Sequence, residues 1–293
     1  MEAARPRTLS ASVAPVIIGT TLAWMARGAD GQPQWNVSAA LLAMLGALAI
    51  QLACNFANDA ADAERGADTS ERLGPRRLVA SGLISARAMR AAAALVALIG
   101  FGCAALLAMR AGWPLVALGA LSALLAWAYT SGPLPLAYHG LGDAFVLVFF
   151  GPVAVSATFY VQTLRFDWLP ALMGLAPGLL AVAILAINNL RDVAGDGAVG
   201  KRTLAVRFGS TWARREYRVA VAASAVVVLA VSAGTGLPWL AIGVIGPLSL
   251  LPQLRAVHAG LSGAPLNDAL AATGRALAIQ AAGIAGAGWI TCR

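Results

Sequence analysis

Carboxylates and side-chain amides recur at helical spacing in two separate stretches of this 293-residue sequence. In the first stretch the recurring residues are Asn55, Asn58, Asp59 and Asp62. In the second they are Asn188, Asp192 and Asp196. Residues three or four positions apart share one face of a helix, so each set predicts a polar stripe at a helix end. Like charges at this spacing repel, and two stripes that face each other require a cation.

The chemistry of these side chains favours a hard cation. Asp and Asn oxygens select Mg²⁺ or Ca²⁺ over zinc or copper, and Mg²⁺ leaves coordination positions for phosphate oxygens. Cationic residues follow both stretches, with Arg72, Arg76 and Arg77 after the first and Lys201 and Arg202 after the second. Because arginine and lysine side chains suit phosphate groups, the pattern predicts a metal–diphosphate site.

Two solvated, salt-bridged loops are the alternative interpretation, since runs of charge often lie on a solvated surface. The concentration of acids favours a site instead. Of the 13 acidic residues in the chain, seven belong to these two stretches, namely Asp59, Asp62, Glu64, Asp68, Glu71, Asp192 and Asp196.

The composition indicates what must position these residues. Hydrophobic residues make up 59% of the chain and charged residues only 12%, about half of the charged fraction in a soluble domain. Apolar runs of about 20 residues predict membrane-spanning helices, which satisfy their own backbone hydrogen bonds in lipid. The nine runs are 9–26, 37–57, 88–110, 113–131, 139–160, 168–190, 216–234, 237–253 and 270–290.

The distribution of basic residues supports this count. With nine spans and a cytoplasmic N-terminus, 17 of the 21 Lys and Arg residues lie on the cytoplasmic side, as the positive-inside rule requires. We therefore expect an all-α polytopic membrane protein: one domain over residues 1–293, a nine-transmembrane-helix bundle with two Asp-rich cytoplasmic loops and an external C-terminus. The pI near 10.4 reflects this topology and contact with membrane lipid, and predicts no nucleic-acid partner.

Five motifs carry a resemblance to a known family. They are RPRTL, NDAADAERGADTSERLGPRRLVASGLIS, YTSGPLPLAYHGLGD, FFGPVAV and INNLRDVAGDGAVGKRTLAVRFG, between residue 5 and about residue 209. They resemble the UbiA-type membrane prenyltransferases, which carry one Asp-rich motif after helix 2 and another after helix 6 of a nine-helix bundle. Within that superfamily they are most similar to the 1,4-dihydroxy-2-naphthoate polyprenyltransferases of menaquinone synthesis.

The resemblance implies a set of site residues. Two Mg²⁺ ions would be held on a polyprenyl diphosphate by Asn58, Asp59, Asp62, Asp192 and Asp196, with Asn55 and Asn188 behind them. Arg72, Lys201 and Arg202 would bind the same diphosphate.

Catalytic roles would fall to Asp68, Tyr129 and Asp143. Many superfamily members carry an acid at position 66, which is glycine here, and the displaced Asp68 resembles the naphthoate branch. Both metal binding and action near the acceptor remain open for Asp68. Other aromatic residues of helices 4 and 5 could stabilise a carbocation through their ring faces, namely Phe145, Phe149, Phe150 and Tyr160.

The implied reaction moves a polyprenyl group to 1,4-dihydroxy-2-naphthoate, with loss of CO₂ and diphosphate, and gives demethylmenaquinone at the bacterial inner membrane. Other aromatic acceptors are alternatives: 4-hydroxybenzoate, homogentisate or a chlorin. A cation transporter predicts acids near the middle of helices, whereas Asp62 and Asp192 lie at the ends of apolar runs. A CDP-alcohol phosphotransferase would cluster its aspartates in one motif, and here two stretches about 130 residues apart carry them.

Overall fold

The computed structural model describes residues 5–64, 73–74, 77–130 and 140–291, and describes only the backbone of residues 6, 7 and 123–130. Within these ranges the regular structure is helical, apart from one isolated bridge between Arg27 and Pro33. The helices are α1 (Pro6–Met25), α2 (Val37–Glu64), α3 (Ala86–Ala111), α4 (Trp113–Thr130), α5 (Gly142–Val148), α6 (Ala154–Thr163), α7 (Trp168–Ala198), α8 (Leu204–Phe208), α9 (Ser210–Thr235), α10 (Ile245–Leu248), α11 (Leu251–His258) and α12 (Leu266–Thr291). A π-helical turn (Phe149–Val153) joins α5 to α6, and a 3₁₀ turn (Pro238–Val244) precedes α10.

Apolar helices long enough to cross a membrane number six in the described part of the chain, or seven if the bent pair Pro238–Leu248 and Leu251–His258 forms one span. The predicted all-helical membrane fold is confirmed at this level. The predicted count of nine spans is not reached by these helices, and it stays a prediction.

Local sequence signals explain where several helices begin and end. The side chains of Ser85, Asp167 and Thr203 accept hydrogen bonds from backbone N–H groups at the starts of α3, α7 and α8, which are otherwise unsatisfied donors. Gly236 ends α9 in the left-handed conformation (φ 67°), which glycine adopts without steric cost.

Helix α7 is the most buried of the long helices and organises the bundle. It contacts α9, α12, α1 and the π-helical turn, and 72% of its most apolar window is buried. Helices α2 and α3 pack mainly on each other and expose wider apolar faces, as expected for a lipid-facing pair.

Three glycines let the kink between α5 and α6 contact α7 backbone to backbone. Gly151 has a non-helical conformation (φ −118°, ψ −109°) and is followed by Pro152 inside the turn. A Cβ atom on Gly174 of α7 would lie 2.7 Å from the Pro152 Cα, and one on Gly178 would lie 2.6 Å from the Leu147 carbonyl oxygen. Small residues at helix crossings permit this close approach, so the kink and α7 have a fixed separation.

We expect Gly174→Ala to destabilise the fold by about 1–3 kcal/mol, because the new methyl group meets backbone atoms that cannot rotate away. The control is Gly102→Ala in α3, where nothing lies within 4 Å of the added Cβ. That substitution should be neutral or stabilise the helix by up to about 1 kcal/mol. Thermal unfolding of both variants in the same detergent measures the difference, and equal midpoints would contradict the close contact.

Candidate functional site

The ends of α2 and α7 meet at one ammonium group. Lys201 Nζ lies 3.6 Å from Asp62 Oδ1 and 3.4 Å from Asp196 Oδ1. Asp62 belongs to the last turn of α2 and Asp196 to the last turn of α7, so the ends of the two polar stripes lie close together. The sequence analysis expects Asp-rich loops after these helices, whereas both acids lie within the helices, which end at Glu64 and Ala198.

The α2 end is enclosed by the chain that returns to it. Arg77 is buried and donates to Asp62 Oδ2 at 2.7 Å. Asp59 is only 1% exposed, and its Oδ2 accepts from the Leu78 backbone N–H at 3.4 Å. The other carboxylate oxygen of Asp59, Oδ1, is buried with no hydrogen-bond partner among the described residues.

The α7 end is organised by Arg191, which is 6% exposed. Its guanidinium binds both oxygens of Asp192, with Nε–Oδ1 at 2.8 Å and Nη2–Oδ2 at 2.6 Å. The same group donates to Asn188 Oδ1 at 2.7 Å and to Asn267 Oδ1 at 2.8 Å. Arg191 therefore fixes the orientation of two residues of the second polar stripe.

A divalent cation fits the donor chemistry of this site. Among the described residues there is no group of three or more His, Cys, Asp or Glu side chains drawn together as a metal centre. The donors are instead divided between two helix ends that Lys201 bridges. The bare Asp59 oxygen is a hard, buried acceptor of the kind that Mg²⁺ satisfies.

Several predicted site residues lie apart from this cluster. Arg202 is exposed and has no hydrogen bond or ion pair among the described residues, although its backbone carbonyl lies beside Gly140. Asn55 accepts a hydrogen bond from the amide of Gln51 at 3.3 Å. Asp68 and Arg72 lie outside the described residues, as does the side chain of Tyr129, which belongs to α4.

Asp143 has a partner that the sequence analysis missed. Its carboxyl group lies against that of Glu216, in the second turn of α9, and both side chains are partly buried. Two adjacent carboxylates repel each other, so this pair favours the state in which one of the two carries a proton.

Sequence reasoning also missed the roles of Arg77 and Arg191. Arg77 is expected there only among the cations suited to a diphosphate, and Arg191 only as a basic residue beside a helix end, although each is buried against a carboxylate of the site. The signal for Arg191 is its position next to Asp192. Asn267, some 75 residues further along the chain, offers no comparable signal.

An apolar cavity of about 300 Å³ lies along the middle of α2. Gln51 and Cys54 line it one turn before the polar stripe, and the Gln51–Asn55 hydrogen bond joins the cavity wall to the stripe. Of the aromatic residues proposed to face a carbocation, three line this cavity, namely Phe145, Phe149 and Phe150. The arrangement combines a cluster of carboxylates suited to a cation with an apolar cavity.

Comparisons with known proteins identify the family. The profile of the UbiA prenyltransferase family matches residues 13–265. The 1,4-dihydroxy-2-naphthoate octaprenyltransferase of Mycobacterium tuberculosis is 38% identical over 288 residues, which cover 98% of this chain and 95% of that protein. The protein of the same name from Escherichia coli is 41% identical over 225 residues, covering 73% of this chain and 70% of its own.

A solved structure agrees at the level of the fold. A UbiA homolog from Archaeoglobus fulgidus bound to GPP and Mg²⁺ superposes with a TM-score of 0.65 at 16% identity, covering 99% of this chain and 98% of that chain. The similarity therefore extends past residue 209, where the resemblance of the motifs ends. The family expected from the motifs is confirmed: the chain is a membrane prenyltransferase that belongs to the UbiA family.

Proposed function

We propose that the protein transfers a polyprenyl group from polyprenyl diphosphate to 1,4-dihydroxy-2-naphthoate, releasing CO₂ and diphosphate and giving the hydroquinone (reduced) form of demethylmenaquinone. The observation that carries the proposal is the juxtaposition of two Asp-bearing helix ends, bridged by Lys201, together with an apolar cavity along α2 that reaches to within one turn of its polar stripe. Relatives at 38% and 41% identity are named as octaprenyltransferases acting on this naphthoate, which supports the same acceptor here.

The site residues suit a magnesium-bound diphosphate. Mg²⁺, when bound, would neutralise charge that develops on the leaving diphosphate. Its ligands would be Asn58, Asp59, Asp62, Asp192 and Asp196, with Asn55 and Asn188 orienting them.

The chain's own cations complete the head of the site. Lys201 already lies between carboxylates of both helix ends and would bind the diphosphate together with Arg202 and Arg72. Arg77 binds Asp62 and Arg191 binds Asp192, which fixes the orientation of each carboxylate.

The apolar cavity would hold the first units of the polyprenyl tail. Ionisation of the allylic C–O bond leaves an electron-poor carbon that the electron-rich naphthoate ring attacks, and water must be excluded from it. The cavity's phenylalanine rings suit this carbon, because their faces attract positive charge.

The acceptor side of the site would involve Asp68, Tyr129 and Asp143. We propose that the Asp143–Glu216 pair receives the proton of the naphthol hydroxyl group, because two adjacent carboxyl groups can hold a proton between them.

We further propose that residues 1–293 form one domain with nine membrane spans in the bacterial inner membrane. The N-terminus and the diphosphate site would face the cytoplasm and the C-terminus the opposite side. The 17-to-4 distribution of basic residues supports this orientation.

Prenyl transfer by the purified protein in nanodiscs tests the function. We expect prenylated naphthohydroquinone from 1,4-dihydroxy-2-naphthoate and polyprenyl diphosphate only when Mg²⁺ is present. Asp62→Asn and Asp192→Asn should each lower the rate at least about a hundredfold, because each removes a carboxylate from the cation site. Asp268→Asn makes the same change on an exposed acid of α12 and should retain activity.

Three other results would change the assignment. Product formed only with 4-hydroxybenzoate, homogentisate or a chlorin would keep the chemistry and replace the acceptor. Turnover without Mg²⁺ would remove the metal from the proposal. Wild-type rates in both Asp variants would mean that the two Asp-rich stretches are solvated, salt-bridged surface and not a metal site.

Asp59→Asn separates a metal ligand from a structural acceptor. The amide oxygen of the new side chain can still accept the Leu78 N–H, so the unfolding midpoint should stay within a few degrees of wild type. The loss of the negative charge should raise the Mg²⁺ concentration for half-maximal activity by about tenfold or more. An unchanged Mg²⁺ titration would mean that Asp59 only holds the returning chain.

Neighbouring alanines of α3 test the role of the cavity. Ala104 lines it, whereas Ala105 is exposed on the outer face of the same helix. Ala104→Phe should lower transfer from a long polyprenyl donor by about tenfold and spare dimethylallyl diphosphate, because the added ring occupies space that only the longer tail uses. Ala105→Phe should resemble wild type. Equal effects on long and short donors would contradict a tail site here.

A further inference from the structure

Asn267 lies at the start of α12 and contacts both halves of the site. Its Oδ1 accepts from Arg191 Nη1 at 2.8 Å, and its Nδ2 donates to the Leu73 carbonyl oxygen at 2.8 Å. Leu266 and Ala269 beside it are buried at 1% and 2% exposure. Because these neighbours anchor the first turn of α12, the amide of Asn267 has a fixed place.

On one side, Asn267 completes the set of acceptors around a buried cation. Arg191 donates to Asp192, Asn188 and Asn267, and these contacts use its Nε and both terminal nitrogens. A buried guanidinium that loses an acceptor is left with an N–H group that neither water nor the protein binds, and this costs free energy. The Asn267 contact therefore stabilises the orientation in which Arg191 holds Asp192.

On the other side, Asn267 anchors the chain that encloses the α2 end. Leu73 lies four residues before Arg77 and five before Leu78, which bind Asp62 and Asp59 respectively. Holding the Leu73 carbonyl therefore restricts the path by which these two contacts reach α2.

The two bridges between the halves differ in chemistry. The Lys201 bridge is ionic, and its carboxylate partners are the groups that would bind the metal of a metal–diphosphate. The Asn267 bridge is made of neutral hydrogen-bonding groups on the Leu73 side and of an amide oxygen on the Arg191 side. Because Asn267 itself binds no carboxylate, its hydrogen bonds can persist when a metal–diphosphate binds the carboxylates and rearranges the Lys201 bridge.

We propose that Asn267 is a positioning residue, which sets the separation of the two Asp-bearing helix ends and thereby the affinity for the diphosphate head of the donor. This inference rests on the proposed function for the identity of the donor. It assigns a part of the site to the C-terminal helix, far in sequence from both polar stripes.

Different substitutions at Asn267 test its contacts with Arg191 and with the Leu73 carbonyl separately. Asn267→Asp keeps an oxygen acceptor for Arg191 but removes the donor to the Leu73 carbonyl, whereas Asn267→Ala removes both. Asn267→Gln retains an amide and provides a conservative rescue. Asp268→Asn changes the next residue, which is exposed and apart from the site, and serves as the matched control.

Two readouts are needed. In the transfer assay, Asn267→Asp should raise KM for polyprenyl diphosphate about five- to tenfold, while KM for the acceptor and kcat stay within about twofold. Independently of turnover, the rise in unfolding midpoint caused by Mg²⁺ and pyrophosphate should shrink in Asn267→Asp and Asn267→Ala and return in part in Asn267→Gln. Asp268→Asn should match wild type in both.

The outcomes are distinct. An Asn267→Asp variant with wild-type donor KM and a wild-type pyrophosphate shift would overturn the inference. So would a fall in kcat with both KM values unchanged. If the wild-type protein transfers no prenyl group, the proposed function fails, and the pyrophosphate shift still decides whether Asn267 sets diphosphate affinity.

Discussion

Repulsion between carboxylates is the constraint on which the site depends. Asp62 and Asp196 come from helices more than 100 residues apart and lie close enough to share one ammonium group. Charges so placed at a membrane boundary are costly unless each has a partner. The structure supplies three cationic partners: Lys201 between the helix ends, Arg77 on one side and Arg191 on the other. Asp62, Asp192 and Asp196 are thereby balanced by the site's own side chains, whereas Asp59 has only a backbone N–H among the described residues.

The packing of the helices fixes the positions of the aspartates at the ends of α2 and α7. Helix α7 carries the second polar stripe at its end and is buried along most of its length, so the stripe cannot shift without disturbing the core. The α2 end is less enclosed, because α2 packs mainly on the lipid-facing α3. The returning chain at Arg77 and Leu78 compensates for this by binding Asp62 and Asp59 directly.

Much of the fold and part of the site could be predicted from the sequence. Long apolar runs require helices in lipid whatever their packing, which is why each predicted run has a helical counterpart in the described residues. Spacing of three and four residues likewise predicts the polar faces of α2 and α7. Partners brought from a distance could not be predicted, because nothing local distinguishes Glu216 or Asn267 from an ordinary polar residue of a helix end. Arg77 and Arg191 illustrate the same limit, since burial of a cation is a property of the assembled bundle.

At the kink between α5 and α6, backbone contacts determine where the cavity wall lies, and side chains determine the shape of its surface. Gly151 meets Gly174 and Gly178 through main-chain atoms, so the path of this wall is set by the backbone. The neighbouring side chains that face the cavity, Phe149, Phe150 and Val153 among them, take no part in that contact. Evolution is therefore free to exchange these side chains one at a time, and donor preference can drift within the family while the scaffold that holds the reactive head remains the same.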